Sequence, residues 1–110
     1  MDGCIFCMIA GGVIPSPKVY EDELMFIISD IYPKAKKHYL MIPKKHYKLL
    51  ADMTEGDAAD LSRCLKKLPD LAEGLGLTNG FRLIINQGTD AGQTVFHLHV
   101  HILGGEELPI

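Results

Sequence analysis

Apolar residues recur along the chain with two periods, which divide it into helices and short strands. Residues 4–10 place apolar side chains at helical spacing and are followed by Gly11-Gly12, a pair that commonly ends a helix. Thr54 and Asp57 resemble a capping box in front of a second, longer apolar pattern. The sequence therefore predicts a short N-terminal helix and one long helix.

The long helix should bury one face. Six residues share that face: Ala58, Leu61, Leu65, Leu68, Ala72 and Leu75. Cys64 lies in the same pattern and is expected in the core as a small free thiol. Pro69 has no N–H for the Leu65 carbonyl, so we expect it to kink or split the helix, which Gly74 and Gly76 should end.

Five other segments predict β-strands. "KVY" and "LMFIIS" flank Glu21–Glu23 and fit a hairpin, and "HYLMIP" is a third strand closed by Pro43. "FRLIINQ" and the stretch "VFHLHVHILGG" give the last two strands. A chain of 110 residues with mostly sequential strands and one main helix predicts a single α+β domain over residues 1–110, with a five-stranded antiparallel sheet.

The last predicted strand has a histidine at every second position: His97, His99 and His101. Alternate residues of a strand share one face, so the imidazoles should lie on one face and the intervening apolar residues should pack on the long helix. Three interpretations are open. The row can be an ordinary polar strand face, a zinc-hydrolase site in which metal-bound water attacks, or a site where an imidazole is the nucleophile.

The residues around this row favour phosphorus chemistry. Gly104-Gly105 and the stretch "NQGTDAGQT" supply glycines that let main-chain N–H groups approach an anion, while Thr94 offers a hydroxyl and Asn86 an amide. Six lysines flank the third strand, at positions 34, 36, 37, 44, 45 and 48. Most should be solvated rather than in contact with a ligand, but their field favours a phosphate group.

Composition narrows the class of partner. The formal charge is −3, with 47% hydrophobic and 23% charged residues, so we expect a globular chain with no nucleic-acid polymer as partner. No window approaches the ~18 apolar residues of a membrane-spanning helix, and the first residues lack the pattern of a signal peptide. With Cys64 alone and Cys4 and Cys7 in a C-x-x-C, a disulfide framework is not expected and we predict a cytoplasmic protein.

The motif "HLHVHILGG", together with "CIFC" and "IPKKH", resembles the histidine-triad (HIT) superfamily and its nucleotide-binding, Hint-like branch. Three blocks carry the resemblance over nearly the whole chain: "CIFCMIAGGVIPSPKVYEDE", "SDIYPKAKKHYLMIPKKH" and "INQGTDAGQTVFHLHVHILGG". The resemblance implies a homodimer whose sheets join across the interface. It also implies hydrolysis of the P–N bond of purine nucleoside 5′-phosphoramidates or related adenylates through a nucleotidyl-histidine.

The resemblance also implies roles for individual residues. His99 matches the nucleophile, and His101 and His38 match positions that contact the phosphate or leaving group or support the row. Asp30 matches the ribose-binding acid, although an acid at a turn has the same residue type. Phosphate-side positions are matched by Asn86, Gln93 and Thr94, and the base pocket by Phe6, Ile9, Ile28 and Ile31.

The C-x-x-C is explained by the same resemblance. Some bacterial members of the branch bind structural zinc through four positions that correspond here to Cys4, Cys7, His46 and His97. A Cys₂His₂ set closes a tetrahedral site and leaves no position for catalytic water. The alternative is a pair of ordinary free thiols.

Two departures concern substrate range. Lys36-Lys37 precede His38 where many relatives have Pro-Thr, and the chain ends "GGEELPI" without the Trp-Pro-containing tail of animal relatives. A diadenosine-polyphosphate hydrolase of the Fhit-like branch is an alternative, although "CIFC" and "IPKKH" fit it less well. A nucleotide-binding regulator with little turnover is another.

Overall fold

The computed structural model describes residues 3–110 and has five strands and two α-helices in this range. The helices are α1 (Ile5–Ala10) and α2 (Glu55–Leu71), and the strands are β1 (Tyr20–Glu21), β2 (Met25–Ser29), β3 (Lys37–Pro43), β4 (Phe81–Ile84) and β5 (Val100–Gly104). Two short 3₁₀ turns lie at Leu50–Asp52 and Thr89–Ala91. The strands form one sheet in the order β1-β2-β3-β5-β4, and every neighbouring pair is antiparallel. The predicted α+β fold is confirmed.

The sheet is covered on both faces along β2. Met25 and Ile27 pack into the core under α2, whereas Phe26 and Ile28 pack on the opposite face against Phe6 of α1 and its neighbours. Because successive strand residues point to opposite faces, a strand covered on both faces is apolar throughout. The run "MFIIS" has this character, with its first four residues buried.

The long helix α2 begins as predicted. The Thr54 hydroxyl accepts from the Asp57 N–H at 3.1 Å, and the Asp57 carboxylate accepts from the Thr54 N–H at 3.0 Å, which is a capping box. Its buried side includes Leu61, Cys64 and Leu68, as expected. Ala58, in contrast, is exposed because it lies on the outer side of the first turns.

Pro69 does not split α2. The helix continues through Pro69 to Leu71, so of the two expected outcomes, a kink or a split, the split does not occur. Pro69 lies in the last turn, where only the hydrogen bond back to Leu65 is lost and few residues follow. The remaining residues up to Gly76 form turns rather than helix.

The last strand is shorter than the histidine pattern predicted. β5 begins at Val100, so only His101 of the three histidines lies in it. Its partner β3 ends at Pro43, which has no N–H to continue the ladder, and the Pro43 carbonyl instead accepts from the His97 ring at 2.7 Å. The Leu98 N–H bonds to the Tyr47 carbonyl at 2.8 Å, outside the sheet. The predicted apolar face is confirmed, since Leu98, Val100 and Ile102 lie in the core with α2.

Candidate functional site

The three histidines of the row lie in different surroundings. His97 is fully buried, and His99 and His101 are half-buried, with ring centroids 5.2 Å apart. The prediction that the three imidazoles share one face of a strand is therefore only partly correct, since only His101 lies in β5. His97 belongs to one cluster of polar side chains, and His99 and His101 line a cavity.

Cys4, Cys7, His46 and His97 form the first cluster, and their sulfur and nitrogen atoms all lie within 4.8 Å of one another. Cys7 Sγ is 3.2 Å from His46 Nδ1, Cys4 Sγ is 3.4 Å from His97 Nδ1, and the two Nδ1 atoms are 3.2 Å apart. Ligand atoms about 2.0–2.3 Å from a tetrahedral zinc are separated by roughly 3.3–3.8 Å. The four residues could hold a metal ion with little movement.

The fold brings these ligands together from three segments. Cys4 is the N-cap of α1 and Cys7 follows within its first turn, so the two thiols lie on the same side of the helix. His46 lies in the loop after β3, and His97 lies just before β5. Burial and the neighbouring Cys4 raise the pKa of the Cys7 thiol, and a bound cation would oppose this by favouring the thiolate.

The hydrogen bond to Pro43 prepares His97 as a ligand. A carbonyl oxygen can only accept, so the neutral His97 ring must carry its proton on Nε2. Its Nδ1 lone pair then faces the two thiols. Burial, followed by the nearby His46 and His99, lowers the pKa of His97, which keeps this lone pair available. A carbonyl that orients a histidine in this way is a common outer partner of metal sites.

His99 is oriented by the same principle, with the nitrogens exchanged. Its Nδ1 lies 2.8 Å from the His97 carbonyl oxygen and must donate to it. The neutral ring therefore has its lone pair on Nε2. His99 also lines the cavity described below. This is the state that a nucleophilic imidazole requires.

His38 and His101 are paired through their rings. The Lys34 N–H donates to His38 Nδ1 at 3.0 Å, so the neutral His38 ring carries its proton on Nε2. His38 Nε2 lies 2.9 Å from His101 Nδ1 and donates to it, which leaves the His101 proton on Nε2. Three main-chain groups, of Lys34, Pro43 and His97, thus determine which nitrogen of each ring carries a proton.

Asp30, His38 and His101 also have ligand-type atoms within 4.8 Å of one another. Asp30 Oδ2 is 3.4 Å from His38 Nε2, and Asp30 Oδ1 accepts from the Tyr32 N–H at 2.8 Å. A metal on His38 Nε2 would require the proton to move to Nδ1, where it would face the Lys34 N–H. The arrangement is that of a hydrogen-bonded relay rather than a metal site.

A cavity of about 600 Å³ opens beside the histidines. Its walls combine an apolar side from α1, β2 and β3 with a polar side formed by His99, His101, Asp30, Asn86 and Thr94. Its volume lies in the range of small-molecule sites. The four predicted base-pocket residues all line it: Phe6, Ile9, Ile28 and Ile31. Ile31 is 82% exposed, so it can only form the rim.

Some residues predicted to bind phosphate do not line the cavity. Gln93 is buried and is not part of the cavity wall, because its amide bonds the main chain at Gly88, Lys48 and Val95. Gly104 lies at the far end of β5, where an added Cβ would lie 2.6 Å from a Leu77 methyl carbon. Among the glycines, Gly92 is the one that lines the cavity.

Two of the flanking lysines are paired rather than free. Lys44 bonds Glu21 at 2.8 Å, and Lys45 bonds Asp57 at 2.6 Å. Lys48 lines a separate cavity beside Cys4 and His46. None of the six lysines lines the cavity of about 600 Å³.

Phe6 connects the cavity to the cluster of Cys4, Cys7, His46 and His97, here called the metal-type cluster. Its ring meets the His97 ring edge-on at 5.8 Å and the His99 ring at 5.2 Å between centroids. Phe6 is buried and also lines the cavity. A change in the position of α1 would therefore move a wall of the cavity and a neighbour of His99 together.

The family model for the HIT domain matches residues 11–108. The chain belongs to the HIT family. Protein HitA of Neisseria gonorrhoeae is 47% identical over 104 residues, which cover 94% of this chain and 97% of that protein. The resemblance inferred from the histidine motif is confirmed.

Two solved HIT structures bear on chemistry. A HIT family hydrolase from Legionella pneumophila is 40% identical with a TM-score of 0.90, and the match covers 97% of this chain and 96% of that chain. A zinc-bound histidine triad family protein from Mycobacterium smegmatis is 36% identical with a TM-score of 0.80, over 94% of this chain and 76% of that one.

Sequence reasoning missed the groups that orient the imidazoles. The Lys34 N–H and the Pro43 and His97 carbonyls are main-chain atoms, and no residue type signals them. It also missed Ile14 and Leu40 in the cavity wall, whose apolar type is the same as that of ordinary core residues. Tyr32, in the turn between β2 and β3, also lines the wall.

The surroundings of His101 predict a pH-dependent stability. Burial, and then the nearby His99 and His38, lower the pKa of His101 below its value of 6.5 in an unfolded chain. Between these two pKa values the unfolded chain binds a proton that the folded chain does not bind. The free energy of unfolding therefore falls as the pH drops below about 6.5, and above that pH the titration of this histidine does not change it. Urea unfolding should show a weaker decline from pH 7.5 to 5.5 in His101→Gln than in wild type. Identical slopes would contradict this assignment.

Proposed function

We propose that this HIT protein is a hydrolase of purine nucleoside 5′-phosphoramidates or related adenylates. The observation that carries the proposal is the tautomer of His99, whose Nε2 lone pair is available beside a cavity with an apolar and a polar side. A purine would occupy the apolar side, and the phosphate would lie beside His99, His101 and Thr94. The relationship to a HIT family hydrolase supports the reaction class.

The reaction would proceed in two displacements. His99 Nε2 forms a bond to the α-phosphorus, and the P–N bond to the leaving amine breaks with its electron pair going to nitrogen, which takes a proton from water. The hydroxide left behind is neutralised by the proton that the second displacement releases. The nucleotidyl-His99 ring is an imidazolium whose Nδ1–H remains on the His97 carbonyl. Water then attacks phosphorus, the bond to Nε2 breaks, and nucleoside monophosphate and a proton are released.

His101 would stabilise charge on the phosphate. It is neutral with its proton on Nε2, because Nδ1 accepts from His38. A hydrogen bond from this Nε2–H to a phosphate oxygen would strengthen as negative charge develops in the transition state. His38 would act behind it, since His38 is buried and does not line the cavity.

His99→Ala should abolish turnover of adenosine 5′-phosphoramidates while AMP binding remains measurable, because the variant lacks the nucleophile but keeps the cavity. Rates are measured across a panel of leaving amines, and wild type is quenched to trap nucleotidylated protein. Near-native rates in the variant would contradict covalent catalysis. If the protein is a regulator with little turnover, wild type would bind AMP but hydrolyse the phosphoramidates slowly. Assays with diadenosine polyphosphates test the alternative of a diadenosine-polyphosphate hydrolase.

Asp30→Ala should weaken AMP binding about 10- to 150-fold, the loss expected for a charged hydrogen bond of about 1.5–3 kcal/mol. Asp30 lines the cavity, and its Oδ1 already bonds the Tyr32 N–H. Asp30→Asn keeps an acceptor for that N–H and separates ribose binding from turn stability. Calorimetry with AMP and with inorganic phosphate tests the assignment. Equal weakening of both ligands would leave Asp30 with a structural role.

We also propose that Cys4, Cys7, His46 and His97 bind one structural zinc ion. The donor set, its spacing and the His97 tautomer fit zinc, and the relationship to a zinc-bound family member supports it. Zinc would hold the thiolates and both imidazoles and would position α1, which carries Phe6 and Ile9.

Cys4→Ser/Cys7→Ser should lose about one zinc per chain, lower the melting temperature and weaken AMP binding, because the start of α1 loses its attachment to the loop after β3. Elemental analysis and thermal unfolding measure the first two effects, with Cys64→Ser as the matched thiol control. Wild type that is metal-free, and equally stable with chelator, would refute the zinc site and favour ordinary thiols.

A homodimer remains part of the proposal. β4 lies at the edge of the sheet, and Leu83 and Ile84 on it are 38% and 37% exposed. Apolar side chains on an open edge favour pairing with a second copy, which would join the two sheets. Sedimentation of wild type measures the oligomeric state.

A further inference from the structure

The turn between β2 and β3 is bonded both to the ring of His38 and to the C-terminal segment. Within it, the Lys34 N–H donates to His38 Nδ1 at 3.0 Å. Two residues later, the Lys36 N–H donates to the Glu106 carboxylate at 2.7 Å. The same short turn therefore links Glu106 to the buried ring of His38.

The segment after β5 is placed to reach this turn. Gly105 has a φ of +79°, a conformation that favours glycine, and a Cβ there would lie 2.7 Å from the Lys37 side chain. Glu106 follows directly. Further along, Arg82 of β4 donates to the Pro109 carbonyl at 2.7 Å, so the segment is held at a second point.

We propose that Lys34 and Glu106 are positioning residues for the His38–His101 pair. The Lys34 N–H makes His38 carry its proton on Nε2, and the Glu106 carboxylate holds the turn that presents this N–H. The proton on His101 Nε2, which faces the substrate phosphate in the proposed function, then depends on a carboxylate that does not line the cavity. The effect that we expect on catalysis rests on the proposed function.

The contact with Glu106 uses the main-chain N–H of Lys36, and a proline at position 36 would have no N–H to donate. Lys36→Pro therefore removes the same hydrogen bond as Glu106→Ala, from the opposite side. The two substitutions form a double-mutant cycle.

The first test does not involve substrate. In ¹⁵N-histidine-labelled wild type, long-range proton–nitrogen spectra should show His38 and His101 as Nε2–H tautomers at pH 7.5. In Glu106→Ala the His38 signals should broaden or shift toward a mixture of tautomers. An Nδ1–H tautomer of His38 in wild type would overturn the proposal, whatever reaction the protein catalyses.

The second test measures turnover. Glu106→Ala should lower kcat about 3- to 10-fold with KM changed less than 2-fold, since the lost hydrogen bond acts through a donor needed in the transition state. Glu106→Gln keeps an acceptor and should recover most of the loss. Glu107→Ala is the matched control, because Glu107 makes no side-chain hydrogen bond or ion pair to residues 3–110 in the structure.

Further variants separate the main-chain effect from charge. Lys34→Pro removes the main-chain N–H, whereas Lys34→Ala retains it. The kcat of the proline variant should therefore be at least about ten times lower than that of the alanine variant. The pair Lys36→Pro and Glu106→Ala should be non-additive. Equal kcat in Glu106→Ala, Glu107→Ala and wild type would overturn the role of Glu106. If wild type turns over no phosphoramidate, the proposed function fails and the tautomer spectra alone decide the inference.

Discussion

The antiparallel pairing of β3 with β5 is the contact on which the whole site depends. Its register places Leu40 opposite His101 and His38 opposite Leu103, so two imidazoles from adjacent strands meet at 2.9 Å. The pairing stops where Pro43 can no longer donate, and from that point the chain before β5 leaves the ladder. The Pro43 carbonyl accepts from His97, and the His97 carbonyl in turn accepts from His99.

One alternating motif consequently gives three different hydrogen-bonding states. Neutral imidazole has one donor and one acceptor, and a partner on one nitrogen decides what the other can do. At His97 the free lone pair faces two thiols, at His99 the free lone pair is on Nε2 of a ring that lines the cavity, and at His101 the N–H is on Nε2. Phe6 packs against two of these rings, so the position of α1 couples the metal-type cluster to the cavity.

Local patterns predicted the fold, whereas most of the predicted cavity residues came from the resemblance to the HIT superfamily. The capping box at Thr54 and the helix end at Gly11 are set by neighbours in sequence, which a pattern can report. Gln93 shows where this reasoning stops. Its amide has the chemistry of a phosphate ligand, but it is saturated by main-chain groups from residues as distant as Lys48. The glycines at the end of β5 are closely packed, since an added Cβ would lie 2.6 Å from Leu77 at Gly104 and 2.7 Å from Lys37 at Gly105.

The sequence by itself determined which groups are available: a C-x-x-C, five imidazoles, a carboxylate before a turn, and apolar periods that define two helices and five strands. Tertiary structure alone decided which nitrogen is protonated in His38, His97, His99 and His101, and which groups share a cavity. Those outcomes depend on carbonyl and N–H groups that every residue carries, and residue type therefore contains no record of them. The approach of β3 to the chain before β5 brings the Pro43 carbonyl to the His97 ring over 54 residues of sequence, and it brings the rings of His38 and His101 together over 63.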